Sequence, residues 1–387
     1  MELRLLRNIP KGDFLSKKVL LRADFDVSIS AGKVKEDYRI KKVLPTINFL
    51  LERGEQIRIL SHLGRPHGQP DLKLSLRPVA EYLEKALGQK ILFIDNPLDP
   101  QALSAHKDSS DIILFENLRF WPEEEANDSA FSQKLKLWGD VYINEAFAAS
   151  HRSHASITSL PGLMPSYAGL WLEQEIASLK KIIENPLRPA VAILGGAKLE
   201  TKLPLIKRFL DAGDKVLLGG GVANTVFFAK GYPLGESCSE KDSQRFLHNL
   251  DLNNKNLYLP TDGVLASVAK VDGRLADVKE GTREECMLDI GPKTISLFTS
   301  LIKDAKTIFW NGPMGVTEND KFLSGTLELA KNIGETQAFK LVGGGDTIAA
   351  LDQNNLLDKF DHVSTGGGAM LEFLAGQKLP GIEILKS

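Results

Sequence analysis

Short apolar runs rich in Val, Ile and Leu alternate along this chain with longer stretches whose apolar residues recur every three or four positions. In the first half the runs are VLLRADF (19–25), IRILSH (57–62), KILFID (90–95), DIILFE (111–116) and DVYINEAF (140–147). The second half carries AVAILGG (190–196), KVLLGG (215–220), NLYLPTD (256–262), TIFWNGP (307–313), FKLVGGG (339–345) and HVSTGGG (362–368). Runs this apolar, separated by helix-length segments, predict strands buried on both faces of parallel sheets. The pattern therefore predicts an α/β protein with two doubly wound, Rossmann-like parallel-sheet domains. Between the halves, Leu172, Ile176, Leu179 and Ile183 recur at helical spacing in WLEQEIASLKKIIENP, which Asn185-Pro186 terminates. A helix joining two domains, charged on its solvent face, is one reading; another surface helix of either domain is the other.

Length supports the division. At 387 residues the chain exceeds the roughly 250–300 at which a single core stops growing. A hydrophobic fraction of 43%, a charged fraction of 25% and a net charge of −2 describe an ordinary soluble protein and argue against a nucleic-acid or membrane-surface partner. The N-terminal leucines are broken by Glu2, Arg4 and Arg7, so no signal-peptide core is expected, and no apolar run is long enough to span a bilayer. Two cysteines, Cys238 and Cys286, fit a reducing compartment and cannot make a disulfide framework or a thiolate zinc site. A cytoplasmic protein is the expectation.

In open α/β sheets ligands collect at the carboxyl ends of strands, and the two halves differ there. The first half presents Asp24 and Asp26, His62 and Arg65 in SHLGRP, Arg119 in ENLRF, and His151, Arg152 and His154 in HRSH, with Arg39 a short connection beyond the first strand. Guanidinium groups match carboxylate and phosphate oxygens two at a time. Any one of these arginines could serve a structural ion pair; together at corresponding positions they point to a small polyanion. The second half presents glycine at five of six strand ends, a bare backbone surface suited to a flat base and a phosphate chain. Lys198 and Lys202 in GGAKLETK stand beside it, at a spacing that predicts one helical face. Asp346 follows three glycines, where an anion site would be expected, and on its own reads as a helix N-cap. Two familiar nucleotide fingerprints are missing. Gly32-Lys33 is followed by Val34, not Ser or Thr, and the third glycine of G-x-G-x-x-G is Asn224, Ile348 or Leu371 in the best candidates. That weighs against an NAD-dependent dehydrogenase, the runner-up from fold alone. A non-enzymatic anion binder would need the arginines but not Lys198, Asp346 and Glu318 together. His151 and His154 without further ligands make a poor zinc site.

Taken together, RADFDVS, SHLGRP, ENLRF, HRSHAS, ILGGAKLETK, LGGGVANTVF, LDIGPKT, WNGPMGVTE, GGGDTIAA and STGGGAMLEFLAGQKLPG make the chain resemble phosphoglycerate kinases from end to end. That resemblance implies reversible transfer of the acyl phosphate of 1,3-bisphosphoglycerate to ADP, with Mg²⁺, giving ATP and 3-phosphoglycerate, by in-line transfer after hinge closure in a monomer. It implies a glycerate-binding domain over 1–170, a hinge helix over 171–186, a nucleotide-binding domain over 187–371, and a tail, 372–387, packed back on the first domain. Asp24, Phe25, Asp26, Arg39, His62, Leu63, Gly64, Arg65, Arg119 and Arg152 would line the glycerate site. Gly196, Ala197, Lys198, Lys202, Gly220, Asn311, Pro313, Glu318, Gly344, Gly345, Asp346 and Thr347 would serve the nucleotide, with Glu318 on the ribose and Asp346 on the metal. Arg39, Lys198, Gly367 and Gly368 would meet the transferred group. Three departures from the family pattern carry expectations. Asp26 replaces an Asn and Ser28 a Pro, so the new carboxylate needs an arginine such as Arg39 or Arg152. Glu145-Ala146-Phe147-Ala148 replaces Asp-Ala-Phe-Gly, a change in packing behind the site. Thr317 replaces an aromatic residue and loosens the nucleotide pocket.

Overall fold

The computed structural model describes residues 2–13, 17–235, 238, 247–248, 250–267 and 272–387. The chain divides into two compact units, Met1–Ile176 with Lys378–Ser387, and Ala177–Gln377.

In the first unit, β1 (Lys18–Arg22), β4 (Gln56–Leu60), β5 (Ile91–Ile94), β6 (Ile112–Phe115), β7 (Val141–Asn144) and β8 (Ser166–Ala168) form one parallel sheet in the order β5-β6-β4-β1-β7-β8. Side chains alternate between two cores. Val19, Leu21, Ile57, Ile59, Leu114 and Ile143 fill one face; Leu20, Leu60, Ile113, Phe115 and Tyr142 fill the other. That is why these runs show no polar alternation in sequence. A two-stranded hairpin, β2 (Ile29–Ser30) with β3 (Lys33–Val34), lies between β1 and the helix Tyr38–Leu51.

In the second unit, β9 (Ala190–Leu194), β10 (Lys215–Leu218), β11 (Leu257–Tyr258), β15 (Thr307–Asn311), β16 (Phe339–Gly343) and β17 (His362–Ser364) form a parallel sheet in the order β11-β10-β9-β15-β16-β17. Chain direction across the sheet reverses between β9 and β15, which makes a crevice at their carboxyl ends. A separate antiparallel sheet, β12 (Asp262–Ser267), β13 (Arg274–Asp277) and β14 (Glu285–Ile290), adds to the doubly wound plan.

The helix Leu170–Ile183 carries the chain from one unit to the other. Its buried stripe is Leu172, Ile176, Leu179 and Ile182, with Ile183 only half-buried. Glu175 is also fully buried, so its charged residues do not all face solvent. The segment Lys378–Ser387 completes the first unit. Arg4 donates from Nη2 to the Ile384 carbonyl (2.6 Å) and from its N–H to Leu385 (3.0 Å), and Gly381 N–H donates to Ser150 (2.9 Å). Cys238 and Cys286, on β14, are joined as a disulfide with Cα atoms 6.2 Å apart, a pairing that the reading of a reducing compartment did not anticipate.

Candidate active site

The first unit gathers its cations at the ends of β1, β4, β6 and β7. Asp24 follows β1, is 4% exposed, and accepts an ion-paired hydrogen bond from Arg39 in the first turn of the helix Tyr38–Leu51. Burial opposes the Arg39 charge, yet the Asp24 and Asp26 carboxylates hold its pKa above the ordinary arginine value. Asp26 is exposed, and its Oδ1 accepts the Gly64 N–H at 2.9 Å. The hydrogen-bond partner of this extra carboxylate is thus backbone, while Arg39 bonds Asp24. Gly64 in turn offers its carbonyl to Arg119 Nη1 at 2.8 Å, and the Leu63 carbonyl accepts from Asn117 at 2.7 Å. The SHLGRP turn is therefore fixed from both sides. Phe25 is buried, its N–H donated to Ser61 Oγ at 3.0 Å. Arg65 and Arg152 extend exposed beyond these turns.

Behind them lies a polar chain that the sequence reading missed. Arg22, the last residue of β1, is fully buried. Its Nη2 stands 3.2 Å from His62 Nδ1 and its Nε donates to Ser156 Oγ at 2.7 Å. Ser156 donates from Oγ to Glu124 Oε1 at 2.5 Å and from its N–H to Oε2 at 2.9 Å. Glu124 lies 3.9 Å from Arg22 Nη2 and 4.0 Å from His154 Nδ1. Burial first, then the positive charges of Arg22, Arg119 and Arg39, hold His62 well below the ordinary histidine range. Burial, with Arg119 and Arg22 close by, holds His154 down to about 3. Both imidazoles are neutral at pH 7, so the charge of the cluster resides in its arginines. The available signal was an arginine ending a run of four otherwise apolar or lysine positions, KVLLR.

The second unit places a cavity of about 330 Å³ at the carboxyl ends of β9, β15, β16 and β17. It brings together Gly196, Ala197, Lys198, Lys202, Asn311, Pro313, Gly344, Gly345, Asp346, Thr347 and Gly367, and adds Thr201, Gly312 and Leu371, which were not among the expected nucleotide-site residues. Gly220, Glu318 and Gly368 do not line it. A Cβ on Gly220 would stand 2.9 Å from the Gly196 nitrogen, so it packs behind the wall; Glu318 and Gly368 are exposed. The two lysines do not share a helical face. The helix starts at Leu203, with Pro204 in its first turn; Lys202 lies in the turn just before it and Lys198 in the loop before that turn. They still meet in the cavity, Lys198 exposed and Lys202 half-buried. Burial pushes Lys202 down to about 8 against the pull of Asp346.

The floor of this cavity is backbone. Gly344 has φ +103°, and a Cβ there would stand 2.9 Å from Asn311 Nδ2. Only glycine fits such a conformation without strain. The helix Gly345–Gln353 starts at once, so its first N–H groups face the cavity. Asn311 is 2% exposed and donates to the Gly343 carbonyl at 2.9 Å, leaving Oδ1 unpartnered; Thr347 Oγ1 is also buried without a partner. Buried polar atoms of this kind normally meet a ligand or water. Asp346 is exposed on the same wall, and no cluster of three or more His, Cys, Asp or Glu suited to a metal occurs among the described residues. No helix of the described residues is long and apolar enough to cross a membrane.

A family model described as phosphoglycerate kinase matches residues 9–377. The phosphoglycerate kinase of Leptospira biflexa is 42% identical over 377 residues, covering 95% of each chain, and that of Rubrobacter xylanophilus is 42% identical over 386 residues, covering 98% of each. Among solved structures, phosphoglycerate kinase from Coxiella burnetii superposes with a TM-score of 0.84 at 37% identity over 99% of both chains. That from Pyrococcus horikoshii gives 0.86 at 30% identity, over 99% of this chain and 98% of the other. A cationic cluster on one sheet, a glycine-floored crevice on another and these end-to-end likenesses agree: the chain belongs to the phosphoglycerate kinase family, enzymes that move a phosphoryl group reversibly between 1,3-bisphosphoglycerate and ADP.

Proposed function

We propose that the crevice of the second unit holds ADP or ATP and that the arginine cluster of the first holds 3-phosphoglycerate or 1,3-bisphosphoglycerate. The observation that carries this reading is the crevice itself. Bare backbone, a helix N-terminus, two lysines and two unpartnered buried polar atoms converge where a phosphate chain would lie. Mg²⁺ fits as part of a metal–nucleotide complex: it retains water and takes one or two protein carboxylates beside phosphate oxygens, and Asp346 is the carboxylate on this wall. When bound, it would neutralise charge on the phosphates.

Phosphoryl transfer needs alignment and charge compensation more than covalent chemistry. Arg39 from the first unit and Lys198 from the second would flank the moving group. N–H groups at Gly367 and Gly368, at the start of the helix Gly368–Leu374, would add donors. Arg65, Arg119 and Arg152 would grip the phosphate and carboxylate of the glycerate. His62 and its neighbour Arg22 would support them from below. Because donor and acceptor belong to separate units, closure of a hinge would complete the site and exclude water. We extend the reading to a monomer acting in the cytoplasm, on the family resemblance. A coupled assay of ATP-dependent 3-phosphoglycerate phosphorylation, with Mg²⁺ and then with chelator, is the direct test. Turnover that requires 3-phosphoglycerate and collapses with chelator is expected; turnover indifferent to either would remove the reading.

A further inference from the structure

Glu145 follows β7, is fully buried, and has no part in the mechanism above. Its Oε1 accepts from the Thr46 hydroxyl and from the Trp171 N–H at 3.1 Å, and its Oε2 accepts from the Leu172 N–H at 2.8 Å. The Leu170 N–H donates to the same Thr46 hydroxyl at 3.3 Å. One carboxylate therefore meets the opening N–H groups of the helix Leu170–Ile183, where negative charge is favoured. Burial pushes Glu145 up to about 7 despite these donors. A Cβ at position 169 would overlap the carboxylate, so Gly169 is what lets the longer glutamate side chain reach.

Thr46 belongs to the helix Tyr38–Leu51, whose first turn carries Arg39. Seven residues separate them, about 10 Å along the axis at the helical rise. Two further interactions join the same pair of helices. Lys42 Nζ lies 4.8 Å from the centre of the Trp171 ring, and the buried Glu175 acts electrostatically on both Arg39 and Lys42. All of these contacts lie inside the first unit, whose last residue before the crossing is Ile176.

We propose that Glu145 is a positioning residue for phosphoryl transfer: by bridging Thr46 and the first turn of the helix Leu170–Ile183, it ties the helix that carries Arg39 to the element along which the chain enters the nucleotide unit. The proposal rests on the two-site reading above. It makes the orientation of Arg39 and the exit direction of the chain one mechanical unit, so loosening it damages the reaction more than the binding of either substrate.

The test compares Glu145→Gln, Glu145→Asp and Thr46→Val with the unaltered enzyme. The measurements are kcat, the dissociation constant of 3-phosphoglycerate and of ATP each alone, and the radius of gyration in solution with and without both substrates. A small displacement of a reacting group can cost up to about a hundredfold. Glu145→Gln is expected to lower kcat about tenfold or more. It should leave each dissociation constant within about twofold and blunt the compaction that closure would produce with both substrates. Glu145→Asp should recover part of kcat, since it keeps a carboxylate to accept these hydrogen bonds. An unchanged kcat, or a kcat and binding capacity that both fall in step with the folded fraction, would overturn the proposal. If Glu145→Gln does not fold, Thr46→Val decides, because it removes one hydroxyl and no charge: a selective loss of kcat supports the bridge, and none overturns it. An unaltered enzyme without phosphoryl transfer would defeat the two-site reading and this proposal with it; an active one with unaffected variants defeats the proposal alone.

Discussion

The two candidate sites stand at equivalent ends of two parallel sheets and are made from opposite materials. The first unit presents guanidinium groups, ordered by side-chain hydrogen bonds that run through Arg22, His62, Ser156 and Glu124. The second presents main chain, opened by glycine and bordered by Lys198 and Lys202. Long side chains can surround a small polyanion of irregular shape, and their charge survives pH changes because arginine does not titrate. Backbone N–H groups survive any substitution except proline, but they tolerate no Cβ where a ligand must approach closely. The first site should therefore be sensitive to loss of side chains, the second to gain of them.

That contrast can be broken by experiment. The largest effect is expected at Lys198, the exception in the backbone-built site. Lys198→Ala should lose about 10²–10³ in turnover while ADP affinity falls modestly; an active variant would remove its role at the moving phosphoryl group. Next comes Arg152→Ala. A lost charged hydrogen bond is worth about 1.5–3 kcal/mol, so 3-phosphoglycerate binding should weaken about 10–100-fold with ADP binding unchanged. Calorimetric titration showing equal affinity would take Arg152 out of the site. Gly344→Ala should act in the opposite sense, by adding an atom. Strain of about 1–3 kcal/mol at this backbone conformation should weaken ADP at least several-fold and spare 3-phosphoglycerate. The smallest effect is a pH dependence. Lys202 is charged below its pKa of about 8 and neutral above it, so ADP affinity should decline several-fold as pH rises from 7 to 9.5. Lys202→Met should flatten that decline, and a flat profile in the unaltered enzyme would contradict the assignment.

Much of this was legible in the chain because parallel strands buried on both faces leave long apolar runs, and because glycine and arginine sit at their ends for opposite reasons. What escaped detection follows from non-local physics. The three-residue strand β8 is too short to show a period, and β12 to β14 pair antiparallel through contacts between distant residues. Arg22 lies inside an apolar run, and only the fold reveals that His62 and Ser156 satisfy it. Spacing alone placed Lys198 and Lys202 on a helix, but Pro204 sets the start one residue after Lys202. The extra carboxylate of Asp26 was expected to need an arginine; Arg39 does act on it electrostatically, but its hydrogen bond comes from a backbone N–H 38 residues away, which no spacing rule reveals. A disulfide between cysteines 48 residues apart cannot be inferred from two isolated thiols.

The segment Lys378–Ser387 belongs to the first unit although all of Ala177–Gln377 precedes it on the chain. A ribosome adding about 5–20 residues per second therefore exposes the earlier part of that unit for some tens of seconds before its closing piece emerges. During this interval the carbonyls that Arg4 later bonds do not yet exist. The domain begun first is finished last, and the arginine-bearing unit spends its infancy incomplete while the whole of Ala177–Gln377 is made.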